Sequence, residues 1–176
     1  METLKSKFYL KLAGREDIFT STKTKISVKR YSLVLEPWKG HSVKDSYGNK
    51  QLINYKGKPF FAELAVLKML SKQGWKGVWV DTYRKRFLVD LPENKKQARL
   101  NSKAEKVLKD ITKENGKFSG CWDVFLWKGR DIKFFELKRK FKDAIRANQM
   151  KWLSSAINIG YSASQFSIIE WNLDAH

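Results

Sequence analysis

Residues 121–138 read CWDVFLWKGRDIKFFELK. Two apolar, aromatic-rich runs, 122–127 and 132–137, flank the polar tetrad Lys128-Gly129-Arg130-Asp131. Such runs about a short glycine-bearing turn predict a β-hairpin with Gly129 and Arg130 at the turn centre. In that register Asp123 stands opposite Glu136, and the alternation of strand side chains puts Lys138 on the face of Glu136. Like charges directly opposite each other destabilise a sheet. Burying them among Trp, Phe, Val and Leu costs more still. A divalent cation between the acids removes the conflict. The plain alternative is a solvent-facing acid pair in an edge hairpin, or a register slipped by one residue.

Working upstream, Pro59 reads as the first residue of a helix over 59–73 that Gly74 stops. Phe60, Leu64, Val66, Leu67 and Leu70 make one face, with Lys68 and Lys72 opposite. Glu63 falls near the centre of the apolar face. A carboxylate there needs a partner, either a functional one or a buried Lys or Arg; a first-turn acid favoured by the helix dipole is the further alternative. Residues 75–83 and 86–91 read as strands about the turn Arg84-Lys85. A polar connector, 92–101, precedes a helix over 102–113 with Ser102 as cap, Glu105 completing a capping box, and Asn115-Gly116 at its end. Downstream of the hairpin, a helix over 143–159 carries the stripe Ile145, Gln149, Trp152, Leu153 and Ala156, is stopped by Gly160, and leads to a closing strand at 165–173. Gln149 sits where an apolar side chain would pack better, and its amide can hydrogen-bond toward a polar site. The first 58 residues are polar and β-leaning, with strands expected at 7–12 and 26–35 and a basic side at Lys23, Lys25, Lys29 and Arg30.

Composition narrows the classes. The chain has 176 residues, 42% of them apolar and 14% aromatic, enough for a core and too much for a disordered polymer. Lys and Arg number 36 against 18 Asp and Glu, a net charge of +18 spread along the whole sequence. Such a field attracts polyanions, nucleic acid foremost. A single cysteine, Cys121, excludes an internal disulfide and a cysteine zinc site, and His41 and His176 give no histidine metal site. No run approaches membrane-spanning length and the N-terminus lacks the apolar core of a signal peptide, so the expected setting is intracellular, without a membrane partner, and nucleoid-associated in a bacterium or phage.

Taken in order, helix with Glu63, strands, strand with Asp123, strand with Glu136-Leu137-Lys138, helix with Gln149, strand, the chain resembles the PD-(D/E)XK nuclease superfamily. Within it the likeness is to the virus-type replication–repair nuclease (VRR-NUC) and Holliday-junction-resolvase-like branch. The matching pieces are Gly120-Cys121-Trp122-Asp123, Phe134-Phe135-Glu136-Leu137-Lys138, and Asn148-Gln149 before an apolar helix ending at Gly160. Cys121-Trp122 stands where a proline often precedes the Asp, and the helix at 102–113 looks like an insertion. The resemblance implies an α/β fold, a restriction-endonuclease-like αβββαβ core with a mixed sheet over 59–176, preceded by a β-rich extension over 1–58. It implies Mg²⁺- or Mn²⁺-dependent phosphodiester hydrolysis, most readily by a DNA endonuclease, with a homodimer as one way to cut two strands. Asp123, Glu136 and the Leu137 carbonyl would hold the metal. Glu63, or Glu105 if the inserted helix is the first core helix, would complete its shell. Lys138 would orient or deprotonate water, and Gln149 would steady Lys138 or touch the phosphate. Arg84, Lys85, Arg86, Arg139, Lys140 and Lys142 are the expected backbone-phosphate contacts. A non-catalytic nucleic-acid-binding module on the same fold is the alternative, and a basic β-rich binding protein with structural acid pairs is the third reading.

Overall fold

A computed structural model describes residues 9–94 and 98–174. The strands are β1 (Lys11–Phe19), β2 (Lys25–Pro37), β3 (Ile53–Tyr55), β4 (Lys58–Phe60), β5 (Lys76–Asp81), β6 (Arg86–Leu88), β7 (Val124–Lys128), β8 (Asp131–Arg139) and β9 (Phe166–Leu173). The helices are α1 (Ala62–Ser71), α2 (Ser102–Asn115) and α3 (Ala147–Asn158). All nine strands share one sheet in the order β4-β3-β2-β9-β8-β7-β5-β6, with β1 also on β2.

The β7–β8 hairpin has the expected register, from Val124 opposite Phe135 to Lys128 opposite Asp131, about the two-residue turn Gly129-Arg130. Gly129 supplies the positive φ, 56°, that a two-residue hairpin turn demands. The hairpin is antiparallel, as is β5 on β7, whereas β9 runs parallel to both β8 and β2. The α/β expectation of a mixed sheet flanked by helices holds. Val124, Leu126, Phe135, Leu137 and Ile169 pack with Leu64, Leu67 and Leu70 of α1 on one face. Phe125, Trp127, Phe134 and Ile168 pack with α2 and α3 on the other. On that second face Phe125, Phe134 and Phe166 stack across β7, β8 and β9 at centroid distances of 4.5 and 4.9 Å. Asp123 and Glu136 therefore lie in a central part of the sheet and not in an edge hairpin.

Several expected bounds shift, each for a local reason. Pro59 does not open α1: it lies in β4 opposite Asn54, at the sheet edge where a missing N–H breaks no ladder. Lys56 and Gly57, both at positive φ, make the β3–β4 turn, and α1 begins at Ala62. The first expected strand, 7–12, falls partly on residues outside those described. The strand observed runs from Lys11 through Gly14, whose φ of 125° absorbs a register shift instead of ending the strand. The strand expected over 86–91 is three residues long. Helix α3 starts at Ala147, not near 143, because Arg146 is extended and Asp143 accepts a hydrogen bond from the Arg139 N–H in a turn. Residues 11–60 continue the sheet that β5–β9 form, β2 docking along β9 from Lys29–Ser167 to Leu35–Leu173. No helix among the described residues is long and apolar enough to cross a membrane.

The α2 cap is Asn101, not Ser102: the Asn101 side chain accepts from the Ala104 N–H at 2.8 Å, and Ser102 is the first helical residue. Asn101→Ala should lower stability by about 1 kcal/mol, and Ser102→Ala by much less. Urea unfolding of the two variants checks this, and equal losses would contradict it.

Candidate active site

Strand alternation in β8 turns Glu136 and Lys138 toward α3, where Gln149 stands in the first helical turn. Lys138 Nζ lies 2.8 Å from Glu136 Oε1 and donates to Gln149 Oε1 at 2.9 Å. Gln149 Nε2 donates to Glu136 Oε1 at 2.6 Å, closing a three-membered ring of contacts. Gln149 Oε1 also accepts from the Arg146 N–H, so one amide both caps α3 and sets the lysine. Its departure from the apolar stripe thus has a cause that the sequence only hinted at.

Asp123 enters from the residue before β7. Its Oδ2 accepts from the Leu137 N–H at 2.9 Å, and its own N–H donates to Glu136 Oε2 at 3.3 Å. The two acids therefore each hold the backbone of the other strand. The Asp123 carbonyl accepts from the Val80 N–H at 2.7 Å, which fixes the same residue to β5. Leu137 meets the pair through its N–H, while its side chain is buried against α1.

Glu63 reaches the same region from α1. It is buried, and Lys50 Nζ lies 2.6 Å from its Oε1. The Glu–Lys pair that the sequence left open is present, and its lysine comes from the irregular loop before β3. The pair leaves Glu63 Oε2 buried without a hydrogen-bond partner. Burial alone would push the Lys50 ammonium down, but Glu63, with Asp123 and Asp143 beyond it, outweighs burial and holds the lysine above its ordinary value. Glu105, the alternative helical acid, is exposed on α2 and does not line this cleft.

The Asp123 carboxyl is the one most costly to ionise here. Asp123 is pushed well above the usual carboxylate range, by burial first and then by Glu136 and Glu63; the Leu137 N–H and Lys50 only partly oppose this. Burial likewise raises Glu136 against the pull of Lys138. Among the described residues no three acidic, His or Cys side chains form a ready-made metal cage. The counter-charge near Glu63 and Glu136 is supplied by the ammonium groups of Lys50 and Lys138.

The cleft over Asp123 has a volume of about 730 Å³, and Tyr47, Lys50, Glu63, Tyr83, Asp143 and Arg146 also line it. Lys50, Tyr47, Asp143 and Arg146 were not legible in the sequence. They lie on irregular segments with no periodicity to mark them. The segment 120–123 is braced against α3, with Trp122 Nε1 donating to the Gln149 carbonyl at 3.2 Å. Cys121 is buried, its thiol pushed well up by burial and then by Glu136 and Asp123, which keeps it unreactive.

The expected phosphate contacts divide. Arg84 pairs with Asp45 and lies 3.8 Å over the Tyr47 ring. Arg86 pairs with Asp81 at 3.2 Å and donates to the Tyr47 hydroxyl. Both guanidinium groups thus hold the 45–47 loop to the β5–β6 turn. Arg139 lies 5.4 Å over the Trp171 ring with its Nε buried. Lys85, Lys140 and Lys142 are exposed. No family model, curated protein or solved structure matches the chain.

Proposed function

We propose that this protein is a divalent-metal-dependent nuclease of the PD-(D/E)XK type, acting on DNA as an endonuclease. The observation that carries the reading is the convergence of Asp123, Glu136, Lys138 and Gln149, from two strands and a helix, with Glu63 contributed from the opposite layer. The order α1-β5-β7-β8-α3-β9 supports it, since it reproduces the αβββαβ succession once β6 and α2 are set aside as insertions.

The donor set suits a hard divalent cation. Carboxylates and a carbonyl are the ligands Mg²⁺ and Mn²⁺ take. Glu63 Oε2 is buried and unpartnered, and Asp123 bears like-charge repulsion; a dication relieves both. Asp123, Glu136 and the Leu137 carbonyl would hold it, with Glu63 completing the shell. Bound there, the ion supplies a water of lowered pKa and neutralises charge on the phosphate. Lys138 carries an ammonium beside Glu136, placed to orient the water or to stabilise charge that develops on the phosphoryl oxygens. Gln149 fixes the direction of that ammonium and of the Glu136 carboxylate. Lys140, Lys142 and Lys85 remain for phosphates outside the cleft.

The Lys50–Glu63 and Lys138–Glu136 pairs compensate two acids within the chain, which a binding-only module would also show. Supercoiled plasmid separates the readings. Nicked and linear products are expected with Mg²⁺ or Mn²⁺ and none with EDTA. Retention of DNA without cleavage under any of these conditions, on duplex, branched or single-stranded substrates, would establish the binding module instead.

A further inference from the structure

Two aromatic side chains, Tyr83 in the cleft wall and Phe141 two residues before the cleft-lining Asp143, stand almost fully exposed. Phe141 is 92% exposed and Tyr83 88% exposed, the highest values among the large apolar side chains described. Phe141 is also the third residue of a turn in which the Lys142 N–H donates to the Arg139 carbonyl, and its φ is 62°. That position favours glycine, and a bulky side chain there is strained. Phe141 thus carries two local penalties, backbone strain and a bare apolar ring. Lys140 Nζ lies 5.0 Å from the centroid of its ring. The same turn leads directly to Asp143 and Arg146, which line the cleft, and Tyr83 lines the cleft from the β5–β6 turn.

Building on the nuclease reading, we infer that Phe141 and Tyr83 stack on unpaired bases, so that the substrate presented to Asp123 and Glu136 is single-stranded DNA or the unpaired segment of a branched one. Exposed rings interleaved with cations are how proteins hold single strands without reading their sequence. Here Lys140 and Lys142 flank Phe141, and Lys85 follows two residues after Tyr83. A duplex keeps its base faces stacked on one another and offers these rings nothing to cover.

The test measures binding of the full chain in EDTA, so that cleavage is not the readout. A fluorescein-labelled single strand and the blunt duplex made from it are compared by anisotropy. Wild type should bind the single strand tighter. Phe141→Gly, which relieves the turn, should keep or raise the thermal midpoint yet lose roughly 5- to 100-fold in single-strand affinity. Tyr83→Ala should lose affinity similarly, Phe141→Tyr should retain it, and duplex binding should change little in all three. Unchanged single-strand affinity in Phe141→Gly and Tyr83→Ala, or equal losses on both ligands, would overturn the inference. A chain that binds single strands in this way but never cuts with Mg²⁺ fails as a nuclease and keeps the stacking site. One that cuts plasmid while Phe141→Gly binds normally does the reverse.

Discussion

Asp123→Asn is expected to silence metal-dependent cleavage and, at the same time, to make the metal-free protein more stable at neutral pH. The activity loss follows from removing an anionic ligand from the proposed metal site, and should be about a hundred- to a thousand-fold, comparable with loss of a strong transition-state contact worth roughly 3–4 kcal/mol. The stability gain follows from the raised Asp123 carboxyl. Its value when unfolded is about 3.9, and folding raises it, so the folded state binds that proton more tightly. Below about pH 4 both states are protonated and the group contributes nothing. As the pH rises from there, folding loses stability, and the penalty is complete once the pH passes the raised value. Asparagine removes the charge and keeps an oxygen that can accept from the Leu137 N–H. Thermal midpoints in EDTA should therefore coincide for the two proteins near pH 4 and diverge in favour of the variant toward pH 8. A variant less stable than wild type at pH 8 would show that Asp123 is a structural anion. Lys138→Met is a poorer probe. It leaves Glu136 buried without its ammonium, a loss of about 3–5 kcal/mol that confuses misfolding with lost chemistry.

Gly120→Ala is expected to cause a large loss of stability, because it combines a left-handed backbone conformation with a backbone clash. Gly120 has a φ of 97°, and a Cβ there would meet the Asn148 carbonyl oxygen at 2.2 Å and its carbon at 2.6 Å. Those are backbone atoms of the first turn of α3, so no side chain can swing away. Strain of about 1–2 kcal/mol for the conformation joins roughly 1–3 kcal/mol for the overlap, and the midpoint should fall on the order of 10 °C. Gly129→Ala is the control. Gly129 also has positive φ, 56°, but nothing within 4 Å of an added Cβ, so only the conformational part applies. The displaced helix turn carries Gln149, so Gly120→Ala should also cut activity per folded molecule at temperatures where it is still native. Differential scanning calorimetry together with the plasmid assay checks both, and equal midpoints for the two variants would refute the close-approach explanation.

The hairpin was legible because turn length fixes parity: a polar tetrad, centred on Gly129-Arg130, between two apolar runs leaves one register in which all the large rings are buried. That register alone places Asp123 beside Glu136 and sets Lys138 on the same face. Gln149 was legible as an amide in an apolar stripe, and Glu63 as an acid in one. Residues without periodic neighbours were not. Lys50 partners Glu63 from a segment that is neither helix nor strand, and nothing in a linear pattern points one to the other. Local ambiguity hid the rest. Asn101 and Ser102 can both cap a helix, and the geometry chose the first. Pro59 suits a helix start as well as an edge strand, and pairing with Asn54 decided it. Gly14 looks like a strand end, whereas the strand passes through it on a bulge.

Strand β9 lies between β2 and β8, so among the described residues the early and late strands are paired into one sheet through residues 166–173. During synthesis these are among the last described residues to leave the ribosome. Until they do, the facing sides of β2 and β8 have no neighbour, and the two groups of strands cannot close into one sheet. Folding is thereby deferred, and the nascent chain exposes two open strand edges that invite chaperones or self-association.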